Sequence, residues 1–169
     1  MIRSQVLPLL VVAILGVACG GAHTRAANTP TTPPLTGAAE AQLRGLATRY
    51  SAIATVGNRG LDHAFDSLNG PDRDHLVAAR ADLDGAAATE RMFDRSLLAL
   101  ALPSAIEATA RAVVRANEAR ANLSAEAATS ESLLQLRGYE TQLSAANDAV
   151  VQQVRILRKQ LGLPPAETS

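Results

Sequence analysis

The chain has almost no aromatic residues. Tyr50, Phe65, Phe93 and Tyr139 are the only rings, and tryptophan is absent. A stacking platform of rings and bases for single-stranded nucleic acid is therefore excluded. Cys19 is the sole cysteine, so no internal disulfide can form. Basic and acidic residues balance at 16 each, which leaves no net field to draw the chain to nucleic acid or to an anionic surface. No stretch alternates with period two while rich in β-branched residues, which argues against a sheet. A glycine-rich phosphate loop, a haem-attachment Cys-x-x-Cys-His and a Glu-x-x-His pair are also lacking. No nucleophile has a base and an orienting acid in a recognisable setting, so the sequence reads as a non-enzyme that needs no cofactor and no metal.

What is abundant is alanine, at 34 of 169 positions. Alanine is the strongest helix former and loses no rotamer freedom on folding. A core of Leu, Val, Ile and Ala with few rings predicts thin, closely spaced helices, an all-α fold.

The N-terminus carries Arg3 and then an apolar run from Val6 to Val17, the pattern of a signal peptide and too short for a comfortable membrane span. It ends in Leu15-Gly16-Val17-Ala18-Cys19. These residues resemble the lipobox of bacterial lipoproteins, although Gly16 stands where that family usually has Leu. The resemblance implies a diacylglyceryl group on the Cys19 thiol, then cleavage before Cys19, leaving a diacylated or triacylated residue with palmitate-type acyl chains. Residues 1–18 are then a signal peptide. Residues 19–36, rich in Gly, Thr and Pro, are a flexible tether able to hold a domain about 20–30 Å from the lipid. The implied place is the cell envelope, extracytoplasmic. That means the periplasmic face of an outer membrane, since Gly20 rather than Asp follows the cysteine, or the outer face of the plasma membrane in a cell with one membrane. The expected partners are that membrane, through lipid on Cys19, and an envelope protein.

Residues 37–163 predict an up-down-up-down four-helix bundle, with 164–169 a flexible tail. Helix one spans about Gly37 to Leu68, with a kink expected at Gly57-Asn58-Arg59-Gly60, where the apolar step lengthens to five residues. Helix two starts at Pro71, with Asp72 and Asp74 in its first turn, and ends near Ala101 before Pro103. Helix three opens on the capping-box pattern Ser104-x-x-Glu107 and ends near Ala128, before the break at Thr129-Ser130. Helix four runs from Glu131 to Leu161 and stops at Gly162-Leu163-Pro164-Pro165. The basic cluster Arg155, Arg158 and Lys159 suits the negative end of its dipole. A three-helix arrangement with a broken first helix is the alternative.

Two constellations of polar residues stand out. Asp62, His63, Asp72, Asp74 and His75 flank the first turn, where a solvated hairpin end explains them better than a metal. Tyr50, Glu90, Asn117, Glu140 and Asn147 fall on or beside the apolar stripes and form a candidate buried polar layer. Such groups need partners or water. The layer serves either helix register, as a buried Asn does in coiled coils, or a small ligand pocket. By height along the helices, Arg49, Arg111 and Arg115 are the expected partners of Glu90. The function that follows is that of a tethered helical interaction or structural lipoprotein. The alternative is a ligand-sensing or small-molecule-binding bundle.

Overall fold

Five helices carry the described chain, residues 37–165 of a computed structural model: α1 (Gly37–Asn69), α2 (Leu76–Leu98), α3 (Ser104–Ala127), α4 (Leu133–Arg137) and α5 (Glu140–Gln160). Among the described residues there is no strand. The expected leader, lipidation site and tether, residues 1–36, lie outside the described residues, as do residues 166–169. No described helix is long and apolar enough to cross a membrane.

α1 continues as one helix through Gly57 and Gly60, so the chain does not break there. Both glycines allow α2 to come close. A Cβ on Gly57 would lie 3.3 Å from Phe93 Cδ2, and one on Gly60 2.9 Å from Thr89 Cγ2. The five-residue step vanishes once small residues count as apolar. The buried positions Leu46, Tyr50, Ala54, Gly57 and Ala64 follow helical spacing, while Val56 is exposed.

α2 begins five residues later than expected. Residues 70–74 form successive turns, with Asp72 N bonding to Ser67 O at 2.9 Å and His75 N to Asp72 O at 3.0 Å. Pro71 therefore serves the turn, and Asp72 and Asp74 lie outside the helix. α2 also ends at Leu98, short of Ala101. The capping box of α3 does not form. The Pro103 carbonyl accepts from Ile106 N (2.8 Å) and Glu107 N (2.9 Å), which puts Ser104 one position too late to cap. Glu107 pairs with Arg111 instead, at 2.6 Å.

The expected fourth helix is divided. At Gly138 the amide reaches both Leu134 O (3.2 Å) and Gln135 O (3.0 Å), and Tyr139 N bonds to Leu136 O at 3.1 Å. The two three-residue bonds, to Gln135 O and Leu136 O, tighten the turn at a residue poorly suited to a helix interior, and α5 restarts beyond it. Ser132 caps α4 by accepting from Gln135 N at 3.2 Å. α5 ends as its sequence predicts. Gly162 takes φ 70°, Leu163 N bonds to Arg158 O (2.9 Å) and Gly162 N to Lys159 O (3.1 Å), the Schellman pattern.

α1 packs on α2, α2 on α3 and α3 on α5, giving a bundle-like all-helical fold. Its apolar core has two parts. One joins Leu46, Tyr50, Leu97, Ile106, Val113, Leu157 and Leu161. The other joins Ala79, Leu83, Ala127, Ala128 and Leu136. Glu90, Asp94, Asn117 and Arg120 are buried on the two middle helices between them. Alanines let those helices approach closely, and the polar side chains fill the layer that alanine leaves.

Candidate functional site

α1 and α5 do not lie side by side along their length, and a groove of about 370 Å³ remains between them. α1 lines it with Tyr50, Gly57, Leu61 and Phe65, and α5 with Asn147, Val150, Val154 and Arg158. Glu90 and Phe93 of α2 and Asn117 and Arg120 of α3 complete the lining. Tyr50 and Phe93 meet edge to face, with ring centroids 6.4 Å apart.

The polar lining contributed by α2 and α3 is buried. Glu90 is 1% exposed, Asn117 3% and Arg120 7%. Arg120 Nε lies 2.6 Å from Glu90 Oε1, a buried ion pair. It is close in distance but poorly aligned, and neither Glu90 oxygen receives a directed hydrogen bond from the described residues. Arg120 Nη1 donates to Asn147 Oδ1 at 2.6 Å. Asn117 Nδ2 donates to Asp94 Oδ1 at 2.8 Å, while Asn117 Oδ1 and Asp94 Oδ2 are left without a directed donor.

Burial dominates the electrostatics. Desolvation pushes the Glu90 carboxyl up to about 7, the Arg120 guanidinium pulling it part of the way back. Desolvation likewise lifts Asp94 to about 6 against the hydrogen bond from Asn117. Burial also raises the Tyr50 phenol, countered by Arg158. The layer therefore holds two carboxyls that change charge near neutrality beside one fixed cation.

Four of the five expected layer residues line the groove: Tyr50, Glu90, Asn117 and Asn147. Asn147 does so from an exposed position, reaching Arg120 with its side-chain oxygen. Glu140 is a correction. It is exposed in the first turn of α5, because the break at Gly138 restarts the helix there and turns it off the buried face. The expected arginines are a second correction. Arg49, Arg111 and Arg115 are exposed, and Arg120 takes the role. Residues 99–103 are not helical, so α3 begins beyond the end of α2 rather than level with it. Glu90 then meets Arg120, and Asp94 meets Asn117. Asp94 and Arg120 were missed because their positions fall off the stripes that large apolar residues mark. The spacing Glu90-x-x-x-Asp94 on α2, facing Asn117-x-x-Arg120 on α3, was the available signal.

The constellation at the first turn disperses. Asp74 bonds to Arg137 at 2.9 Å, His63 and His75 are exposed, and Asp72 faces Asp82, whose carboxyl burial and that neighbour raise. Among the described residues no group of three or more His, Cys, Asp or Glu could hold a metal. Comparison with protein-family models, with curated proteins and with solved structures finds no match to this chain.

Proposed function

We propose that the protein is a lipid-anchored, extracytoplasmic envelope protein whose helical domain is a binding module without catalytic activity. Its helices then form an up-down-up-down four-helix bundle, parted between the first and last long helices. The α1–α5 groove is its interaction site. The observation that carries this reading is the groove lining: buried polar atoms with no directed partner, framed by apolar walls. Completing a polar layer only for register needs no such opening. A volume of about 370 Å³ lies within the range of small-ligand sites. The anchor is supported by the leader, which ends in Val17-Ala18-Cys19 at the only cysteine.

The groove is tested by titrating a set of small organic ligands into the full chain and following its ¹H–¹⁵N NMR spectrum. A saturable shift confined to Gly57, Asn58, Asn147, Val150 and Val151 is the expected result. Ligands that perturb only other surfaces, or none that saturates, would reject the groove. The anchor is tested by mass spectrometry of protein extracted from its native membrane, which should show acylated Cys19 as the first residue. An intact Met1 terminus would reject it.

A further inference from the structure

The groove is unbalanced in its hydrogen bonding. Glu90 Oε1, Glu90 Oε2 and Asn117 Oδ1 are buried acceptors without a directed donor among the described residues. Two nearby donors are engaged, Asn117 Nδ2 with Asp94 and Arg120 Nη1 with Asn147, and one buried donor, Arg120 Nε, has no directed acceptor. Arg120 Nε is closed in against Glu90 and points past it. The orphan acceptors outnumber that donor three to one, so an incoming group that brings N–H or O–H donors satisfies more of the layer than one that brings acceptors. A carboxylate or phosphate would set one more acceptor against Glu90 and Asn117.

Charge sharpens the choice. The buried layer holds two carboxyls, Glu90 and Asp94, and one guanidinium, Arg120, so a cation completes the neutralisation when both acids are ionised. Asp94 does not line the groove, whose charged groups besides Glu90 and Arg120 are Asp62 of α1 and Arg155 and Arg158 of α5, all three outside the buried layer. Arg158 Nε is spent on Pro164 O at 2.8 Å, at the helix end. The remaining walls are aromatic and aliphatic, from Tyr50 and Phe65 to Val150 and Val154, and suit a short hydrocarbon body.

We propose that the groove binds a small organic primary amine, with its ammonium between Glu90 Oε2 and Asn117 Oδ1 and its apolar part between Tyr50, Phe65 and Val150. The inference rests on the groove being a ligand site. The ammonium supplies donors to acceptors that now have no directed one and adds a second positive charge to that of Arg120 beside Glu90. Excluding water from this contact strengthens it.

The test uses the full chain in nanodiscs of neutral phospholipid, held near pH 8 so that Glu90 is mainly ionised. The probes are n-butylammonium, 1-butanol and butyrate, which share a carbon chain and differ in the head group. n-Butylammonium is expected to shift the groove amides saturably at millimolar concentration, with 1-butanol at least tenfold weaker and butyrate not saturating. Glu90→Gln keeps the side-chain shape and should weaken n-butylammonium at least tenfold and 1-butanol by a smaller factor. Its spectrum away from the groove reports that the fold is retained. Val151→Trp, which fills the groove, should block both. If 1-butanol or butyrate matches n-butylammonium, or Glu90→Gln leaves ammonium binding intact, the amine assignment fails and the groove stands as a site for another ligand. If no probe saturates, and no ligand of the wider set does so, the groove itself fails as a site.

Discussion

Replacing Glu90 by Gln removes one ionisable group from the buried layer and leaves its shape. In the wild type the carboxyl titrates near 7 in the folded protein, against 4.5 for the unperturbed group. Between those values the folded state keeps a proton that the unfolded state has lost. Stability is therefore greatest below about pH 4.5, falls as the pH rises through about 7, and is flat above. At about 1.4 kcal/mol per pH unit, moving from pH 8 to pH 5 should strengthen the fold by about 3 kcal/mol through Glu90. Asp94, lifted to about 6, adds about 1 kcal/mol over the same interval. Glu90→Gln should retain only that second part. It should be more stable than wild type at pH 8 by about 2 kcal/mol, after discounting for an amide N–H₂ beside Arg120, and should match it near pH 5. Urea denaturation followed by circular dichroism, at pH 5 and pH 8, gives all four stabilities. A wild type that weakens on acidification, or a Gln variant that keeps the full pH dependence, would refute the account of a carboxyl held out of water.

Glu90→Leu should cost about 3 kcal/mol, because Arg120 then loses its one acidic contact within 4 Å among the described residues and, unlike in Glu90→Gln, gains no amide oxygen in its place; equal stability of the Leu and Gln variants would contradict this. Arg120→Leu should cost about 3–5 kcal/mol near pH 8 and less near pH 5, where Glu90 is neutral, again by urea denaturation. Gly60→Leu should destabilise by about 1–3 kcal/mol, because the new Cβ meets Thr89 at 2.9 Å. Gly45→Ala, in the same helix with nothing within 4 Å, should stabilise by about 0.5–1 kcal/mol. The two thermal melts must shift in opposite directions. Leu97→Ala, at a fully buried position of the larger apolar core, should cost about 2–5 kcal/mol, and a loss below about 1 kcal/mol would show that this end of the core is loosely packed.

Local chemistry in the sequence was enough for the all-helical class and for several helix ends. Alanine density and three- and four-residue apolar spacing need only neighbours along the chain. The stop at Gly162 was equally legible, because the glycine, the apolar residue after it and the prolines act within one turn. Glu90 and Asn117 were visible as polar residues on apolar stripes for the same reason.

Partners between helices were decided only by the tertiary structure. Which arginine reaches Glu90 depends on how far residues 99–103 carry the chain before α3 begins, and that rise is set by the packing of Leu100 and Leu102 against the core. The roles of Gly57 and Gly60 were equally hidden. A glycine pair reads as a weak point until the facing side chains, Phe93 and Thr89, are known to lie against it. Whether the polar layer is closed or opens into a groove turned on the spacing of α1 and α5. They are the helices furthest apart in sequence, so no local pattern constrains them, and only the three-dimensional packing of α2 and α3 between them sets their separation.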